Sequence, residues 1–361
     1  MTKDKGIYIK NIYYMLSYAF NVLHEEYYEN IDKEDFENVY NMFAAILEKG
    51  ISKQIKQGLY KTYISKTDDL LTLRGKIIIN NTVRNKVQHR NNLNCEYDEL
   101  SENNILNQIL KTTVDILLRE KSVDKKYRSE LKKDMLYFSH IDTLDAKSIR
   151  WDRLQYQRNN KNYQILLNIC YFIIDKLLMT TDKGNYKMKT FSDEHMNLLF
   201  ERFVSEYYRK HYSSKDNKYS LKMYYQNSLK WNIENDKSDG NMLRFLPTMR
   251  RDITLYDRIT GKMLIIDTKY YKSMFQVNRD KESFHSNNLY QIFTYVKNAD
   301  IGNEGNVAGM LLYAKVEGEL TLNGKVTVCG NEIYVRTLDL NKDFEKICRQ
   351  LNEIIEEYFG V

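Results

Sequence analysis

The 361-residue sequence predicts an α/β protein, with a mixed sheet flanked by helices in the C-terminal half and an α-rich N-terminal region carrying a small β insertion. Three patterns carry that reading. Apolar residues recur at helical spacing through most of the first half, strand-like alternation is confined there to about 59–98, and strands and helices alternate from residue 193 onward. A chain of this length can bury more than one core, and the polar, glycine-containing stretch 180–190 marks the expected boundary between regions 1–185 and 186–361.

In the N-terminal region, Ile12, Met15, Leu16 and Ala19 form one stripe of a helix expected over 11–28, and a second helix should cover 33–56. Segments 59–65, 71–80 and 95–100 read as strands. Gly75, between Arg74 and Lys76, marks a bulge or a close backbone approach, whereas the basic stretch 82–94, with Arg84, Lys86, His89 and Arg90, reads as a solvated loop. Ser101 is the expected N-cap of a helix running through Leu118, and further helices should cover 125–138 and 163–178. Trp151 and Tyr156, in the connection between them, are expected to pack.

The C-terminal region should begin with an amphipathic helix over 193–212 that turns Met196, Leu199, Phe200, Phe203 and Tyr207 inward. A strand over 220–231 and a polar loop over 232–241 lead to Pro247, the only proline. Strands at 307–315, 319–328 and 332–338 and a helix at 342–359 close the chain.

Between them lies the stretch that carries chemistry, RRDITLYDRITGKMLIIDTKYY at 250–271. Ile253 and Leu255 alternate with polar neighbours, Gly261 supplies a turn and 263–266 is a short apolar run, so the stretch reads as a β-hairpin. Met263, Ile265, Asp267 and Lys269 then share one face. A four-residue loop at 258–261 sets Asp252 opposite Asp267. Two facing carboxylates destabilise a sheet unless a cation sits between them or one is protonated. Mg2+ is the natural cation, because it binds through one or two carboxylates plus waters and phosphate oxygens, and a neighbouring lysine can orient water or offset charge during phosphodiester hydrolysis. An ordinary salt-bridge cluster uses the same residue types.

The D…D-x-K pattern of Asp252, Asp267 and Lys269 resembles the PD-(D/E)XK nuclease superfamily, with Arg251 where the motif has proline. Gln291 and Tyr295, in HSNNLYQIFTY, resemble the Q-x-x-x-Y signature of one of its branches, and residues four apart share a helical face. NIYYMLSYAF, LRGKI, LPTMRRDI, IIDTKYYKSMF and FHSNNLYQ, in that order, resemble the McrC subunit of the McrBC restriction systems. The resemblance implies a restriction-endonuclease-like C-terminal domain. Asp252 and Asp267 would be its metal ligands, and Lys269, Gln291 and Tyr295 would complete the catalytic set. It also implies Mg2+ as cofactor, double-stranded DNA bearing modified cytosine as substrate, and an McrB-like AAA+ GTPase hexamer as partner, which the N-terminal region stimulates. Nucleases of this superfamily often carry a glutamate on the helix before the hairpin; Glu201 and Glu206 both qualify, and the helical wheel favours Glu206. A regulatory module that activates the partner without cutting is the alternative.

The remaining features narrow these classes. No G-x-x-x-x-G-K-[ST] occurs, so GTP belongs to the partner. Lys272 and a loop at 276–286 containing Arg279, Lys281 and His285 are placed to meet phosphates. The net charge of +6 suits an anionic partner. Cys95, Cys170, Cys329 and Cys348 lack the short paired spacings of zinc or redox motifs. No apolar leader or membrane-length run is present, so a cytoplasmic protein without membrane contact is expected.

Overall fold

The alternating segments of the C-terminal half assemble into one six-stranded mixed sheet. The computed structural model describes residues 3–4, 7–20, 36–154, 161–180, 186–188, 193–214, 219–233, 240–270, 275–278, 281–316 and 321–361. The strands of the sheet are Leu221–Leu229 (β1), Met249–Asp257 (β2), Met263–Lys269 (β3), Val307–Lys315 (β4), Asn323–Val328 (β5) and Asn331–Asp339 (β6). They lie in the order β5-β6-β4-β3-β2-β1, with β4 parallel to both neighbours and the other pairs antiparallel. β4, VAGMLLYAK, is buried along almost its whole length, as a strand covered on both faces must be.

The helices of this unit are Ile9–Phe20 (α1), Asp193–Tyr212 (α2), Ser286–Ala299 (α3) and Phe344–Phe359 (α4). α3 approaches β4 closely because Gly309 has no side chain: a Cβ there would sit 2.6 Å from Ile292 and 2.8 Å from Val296. Ile292, Tyr295 and Val296 of α3 share a buried cluster with Ile265 of β3 and Leu311 of β4.

Contacts divide the chain into two compact units, Met1–Met42 with Lys189–Val361, and Phe43–Met188. The sequence reading grouped the first 42 residues with the N-terminal region; in the structure they join the unit of the sheet. Asn11 Nδ2 donates to the carbonyls of Leu340 and Lys342, each at 2.8 Å, and Tyr14 stacks on Phe344 with ring centroids 4.4 Å apart. Tyr18 packs against Phe203 and Tyr207 of α2.

The other unit has an apolar core from helices Val39–Gln57, Ile105–Arg119, Lys125–Met135 and Lys161–Tyr171, including Phe43, Leu110, Leu117, Leu131 and Leu167. Its β insertion is a three-stranded antiparallel sheet with Leu93–Ser101 between Thr62–Leu70 and Lys76–Ile77. Gly75 does mark a close approach: its φ is +68° and a Cβ would lie 2.3 Å from the Glu96 carbonyl oxygen. The stretch expected as a loop at 82–94 instead starts inside a helix, Ile79–Val87. The expected cap at Ser101 is replaced by Asn104, whose side chain accepts from the amides of Leu106 and Asn107. Trp151 packs edge-on against Tyr171, and Tyr156 lies outside the described residues. The four cysteines are free thiols. Among the described residues no helix is long and apolar enough to cross a membrane.

Candidate active site

The site is built where β2 and β3 part. Their turn is closed by the Asp257 amide donating to the Lys262 carbonyl at 2.9 Å and the Gly261 amide donating to the Asp257 carbonyl at 3.0 Å. In the ladder Ile265 faces Thr254 and Ile266 faces Ile253, so the same offset carried one residue further sets Asp267 against Asp252, as the four-residue loop requires. The backbone ladder stops there. Asp252 Oδ2 accepts from the Thr268 amide at 2.9 Å and from Thr268 Oγ1 at 3.1 Å, so a side chain replaces the missing backbone partner and fixes the carboxylate to β3.

Asp267 is 1% exposed, and among the described residues its Oδ1 has no hydrogen-bond partner. Lys269, two residues along the same face, places Nζ 2.7 Å from Asp267 Oδ2. The lysine is oriented from α3. Lys269 Nζ donates to Gln291 Oε1 at 3.3 Å, Gln291 Nε2 donates to the Tyr295 hydroxyl at 2.9 Å, and that hydroxyl donates to the Arg250 carbonyl at 2.9 Å. One turn of helix thus ties the amine back to the strand that carries Asp252. The five residues singled out in the sequence meet in one place.

Three carboxyl groups there compete for protons. Burial, then the charge of Asp252, pushes Asp267 up to about 7, with Lys269 opposing. Burial also raises Asp252, against the Thr268 donors and Lys269. Glu201 of α2 is raised by burial and then by Asp252, so it is the third acid. Glu206, which the helical wheel favoured, pairs instead with Arg209 on its own helix. The usable signal was Asn197, one turn before Glu201: its Oδ1 accepts from the Tyr270 amide at 3.2 Å, so this polar pair marks the face of α2 turned to the end of β3.

Gln226 of β1 had no such signal. Its φ is +46°, a left-handed conformation rare for a non-glycine residue, and its amide donates to Glu201 Oε1 at 2.9 Å while accepting from Arg250 at 2.7 Å. Lys272 and Arg279 lie outside the described residues, and the loop expected at 276–286 contains a small hairpin, Phe275–Asn278 with Lys281–Phe284, leaving His285 just before α3.

Among the described residues no group of three or more His, Cys, Asp or Glu side chains is arranged to hold a metal ion. Mg2+ does not need one, because one or two carboxylates with water and phosphate oxygens suffice. The unpartnered Asp267 Oδ1, the mutual repulsion with Asp252 and an all-oxygen donor set fit that ion.

A mixed sheet with buried acids and a lysine at the parting of two strands defines an α/β domain with a D…D-x-K constellation. The chain belongs to the family of McrBC 5-methylcytosine restriction system components, whose model matches residues 3–314. It is 29% identical over 352 residues to the type IV methyl-directed restriction enzyme EcoKMcrBC of Escherichia coli (strain K12), covering 97% of each chain. Its fold is similar, at a TM-score of 0.54 and 18% identity, to a chain in the tetradecameric assembly of Thermococcus gammatolerans McrB AAA+ hexamers with bound McrC, covering 96% of this chain and 76% of that one.

Proposed function

We propose that this chain is the nuclease subunit of a GTP-dependent restriction complex directed at modified cytosine. It cuts double-stranded DNA with Mg2+ after assembling with an McrB-like AAA+ GTPase hexamer, and it stimulates the hexamer's GTP hydrolysis. The observation that carries the reading is the buried Asp267, with one oxygen unpartnered, Asp252 opposite and Lys269 2.7 Å away.

Asp252 and Asp267 would hold Mg2+, with Glu201 adding charge from α2; the ion would polarise the scissile phosphate and make bound water more acidic. Lys269 keeps its ammonium at the edge of this cluster, where it can orient water or offset charge developing on the phosphate. Gln291 holds the ammonium through its amide oxygen, and Tyr295 fixes which way that amide faces. Thr268 keeps Asp252 turned toward β3. Gln226 steadies Glu201 and Arg250 together.

The role toward the partner is supported by the other unit. On helix Ile79–Val87, Ile79, Val83 and Val87 recur every fourth residue and are 71%, 55% and 75% exposed, an apolar stripe turned to water. The solved Thermococcus assembly holds McrC bound to McrB AAA+ hexamers, and an McrB-like hexamer is the body proposed to cover this stripe.

The test is the reconstituted complex with GTP and methylated DNA. Asp267→Ala and Lys269→Ala should abolish cleavage and leave GTPase stimulation intact. A wild-type complex that stimulates GTP hydrolysis yet cuts no modified DNA would leave the regulatory alternative standing.

A further inference from the structure

The acid cluster has a second cation besides Lys269. Arg250 lies two residues before Asp252 on β2, so the two side chains leave the strand on the same face, and the burial of Met249 and Arg251 around an exposed Arg250 follows that alternation. Its backbone is fixed to the site, because the Tyr295 hydroxyl donates to the Arg250 carbonyl at 2.9 Å. Its guanidinium is fixed as well. Arg250 Nη2 donates to Gln226 Oε1 at 2.7 Å, and Gln226 Nε2 donates in turn to Glu201 Oε1 at 2.9 Å.

This mounting orients the cation without neutralising it. A guanidinium can only donate, so it takes the oxygen of the Gln226 amide and leaves the nitrogen for Glu201. The amide oxygen has no net charge, and among the described residues no carboxylate pairs with Arg250. Gln226 holds its place between the two at a φ of +46°, a conformation that a non-glycine side chain keeps only where its surroundings require it. Lys269 is held in the same way, by Gln291 Oε1, but it is 14% exposed and already bonded to Asp267. Arg250 is exposed and has N–H groups left over for an incoming anion. Its charge reaches the cluster: Glu201, raised by burial and then by Asp252, is held down by Gln226, Tyr225 and Arg250.

Three buried acids repel a substrate that is itself a chain of anions. A bound ion serves the phosphate it touches and leaves the neighbouring phosphates facing carboxylates. We propose that Arg250 grips the phosphate next to the scissile one on the cut strand, its fork preset by Gln226, while Lys269 serves the scissile phosphate. A guanidinium suits this task because its parallel N–H groups meet two oxygens of one phosphate. The inference rests on the nuclease reading and deepens it, by naming a residue that touches the DNA.

The test uses the full-length chain assembled with its GTPase partner, on a methylcytosine-containing duplex in which one phosphate at a time around the mapped cut is replaced by a neutral methylphosphonate. Wild type should cut about ten- to a hundredfold more slowly in a single turnover when the phosphate beside the cut is neutral. Arg250→Ala should cut the unmodified duplex more slowly by a similar factor, and the same methylphosphonate should slow it no further, because the contact is already gone. Arg250→Lys should recover part of the rate, keeping the charge and losing the fork. With Ca2+ in place of Mg2+ to keep the DNA whole, Arg250→Ala should lower the salt dependence of binding by about one phosphate contact. GTPase stimulation should be unchanged; should Arg250→Ala fail to assemble, Arg250→Lys carries the methylphosphonate comparison. Arg250→Ala cutting as fast as wild type, or cutting slowly yet as sensitive as wild type to every methylphosphonate, overturns the contact and leaves the nuclease reading intact. A wild-type complex that cuts no modified duplex removes the nuclease reading and this inference with it.

Discussion

Asp267 is buried beside two other acids, and that arrangement opposes folding when no cation is bound. Its pKa rises from the ordinary carboxylate range to about 7, so between pH 4 and 7 the folded chain keeps a proton that the unfolded chain has released. Stability from this group is therefore greatest at low pH and is lost as pH rises through 7. Asp267→Asn should stabilise the metal-free protein at pH 8 by about 4 kcal/mol at most, and by little at pH 5, read as a rise in its thermal midpoint. Mg2+ should raise the midpoint of wild type at pH 8 and leave that of the variant unmoved. A variant no more stable than wild type at pH 8 would mean that the acids do not repel. Gln226 gives a second expectation. Gln226→Gly relaxes the left-handed φ yet removes the amide between Glu201 and Arg250, so it should fold at least as well as wild type and cut about ten- to a hundredfold more slowly. Thermal melts beside single-turnover cleavage separate the two effects. Asp252, Asp267, Lys269, Gln291 and Tyr295 were legible in the sequence because each is fixed by spacing along one strand, one turn or one helical face. Glu201 was named there only as one of two candidates, with Glu206 preferred, and Gln226 was not named at all, because their place depends on how α2 and β1 meet the hairpin.

At the level of elements, legibility followed the apolar pattern. α2 and β4 were expected with the bounds they have, since their buried faces dictate period and length. Helix Ile79–Val87 was missed because asparagines, rather than an apolar face, hold it down. Asn85 Nδ2 donates to Asp69 Oδ1 at 2.7 Å, Asn81 Nδ2 to Asn94 Oδ1 at 3.1 Å, and Asn94 Nδ2 to Asp69 Oδ1 at 2.7 Å. The apolar residues of the helix face outward instead. A side chain already in water loses nothing in the free chain when it becomes charged. Val83→Asp should therefore leave the fold within about 0.5 kcal/mol of wild type and cut GTPase stimulation at least tenfold, because a carboxylate would have to be buried against the partner. Gly75→Ala should also lower stimulation, through distortion: its Cβ would meet the Glu96 carbonyl at 2.3 Å, in a backbone conformation strained for any side chain. GTPase rates at saturating chain, with melts of the free variants, check both. Full stimulation by Val83→Asp would remove this face from the interface.

For the whole molecule, the sequence boundary at 185 invites expression of the C-terminal region alone as a nuclease fragment. The contacts of α1 argue against that fragment. Ile7, Ile12, Met15, Leu16 and Ala19 are at most 3% exposed and belong to the unit that also holds Lys189–Val361. At about 1.5–3 kcal/mol for a large buried apolar side chain, losing four of them removes more than about 6 kcal/mol, comparable to the whole stability of a typical domain. Removing Asn11 also leaves the Leu340 and Lys342 carbonyls without its amide. A chain of residues 189–361 should therefore aggregate or melt without a cooperative transition. A chain in which a flexible linker replaces residues 43–188, keeping 1–42, should melt cooperatively and show the Mg2+ response of the intact protein, while losing GTPase stimulation. The sequence pattern could not show this, because helical periodicity reports that α1 buries one face and is silent about which distant segment covers it. A cooperative, Mg2+-responsive melt of 189–361 alone would mean that α1 packs on the sheet unit without being needed to hold it.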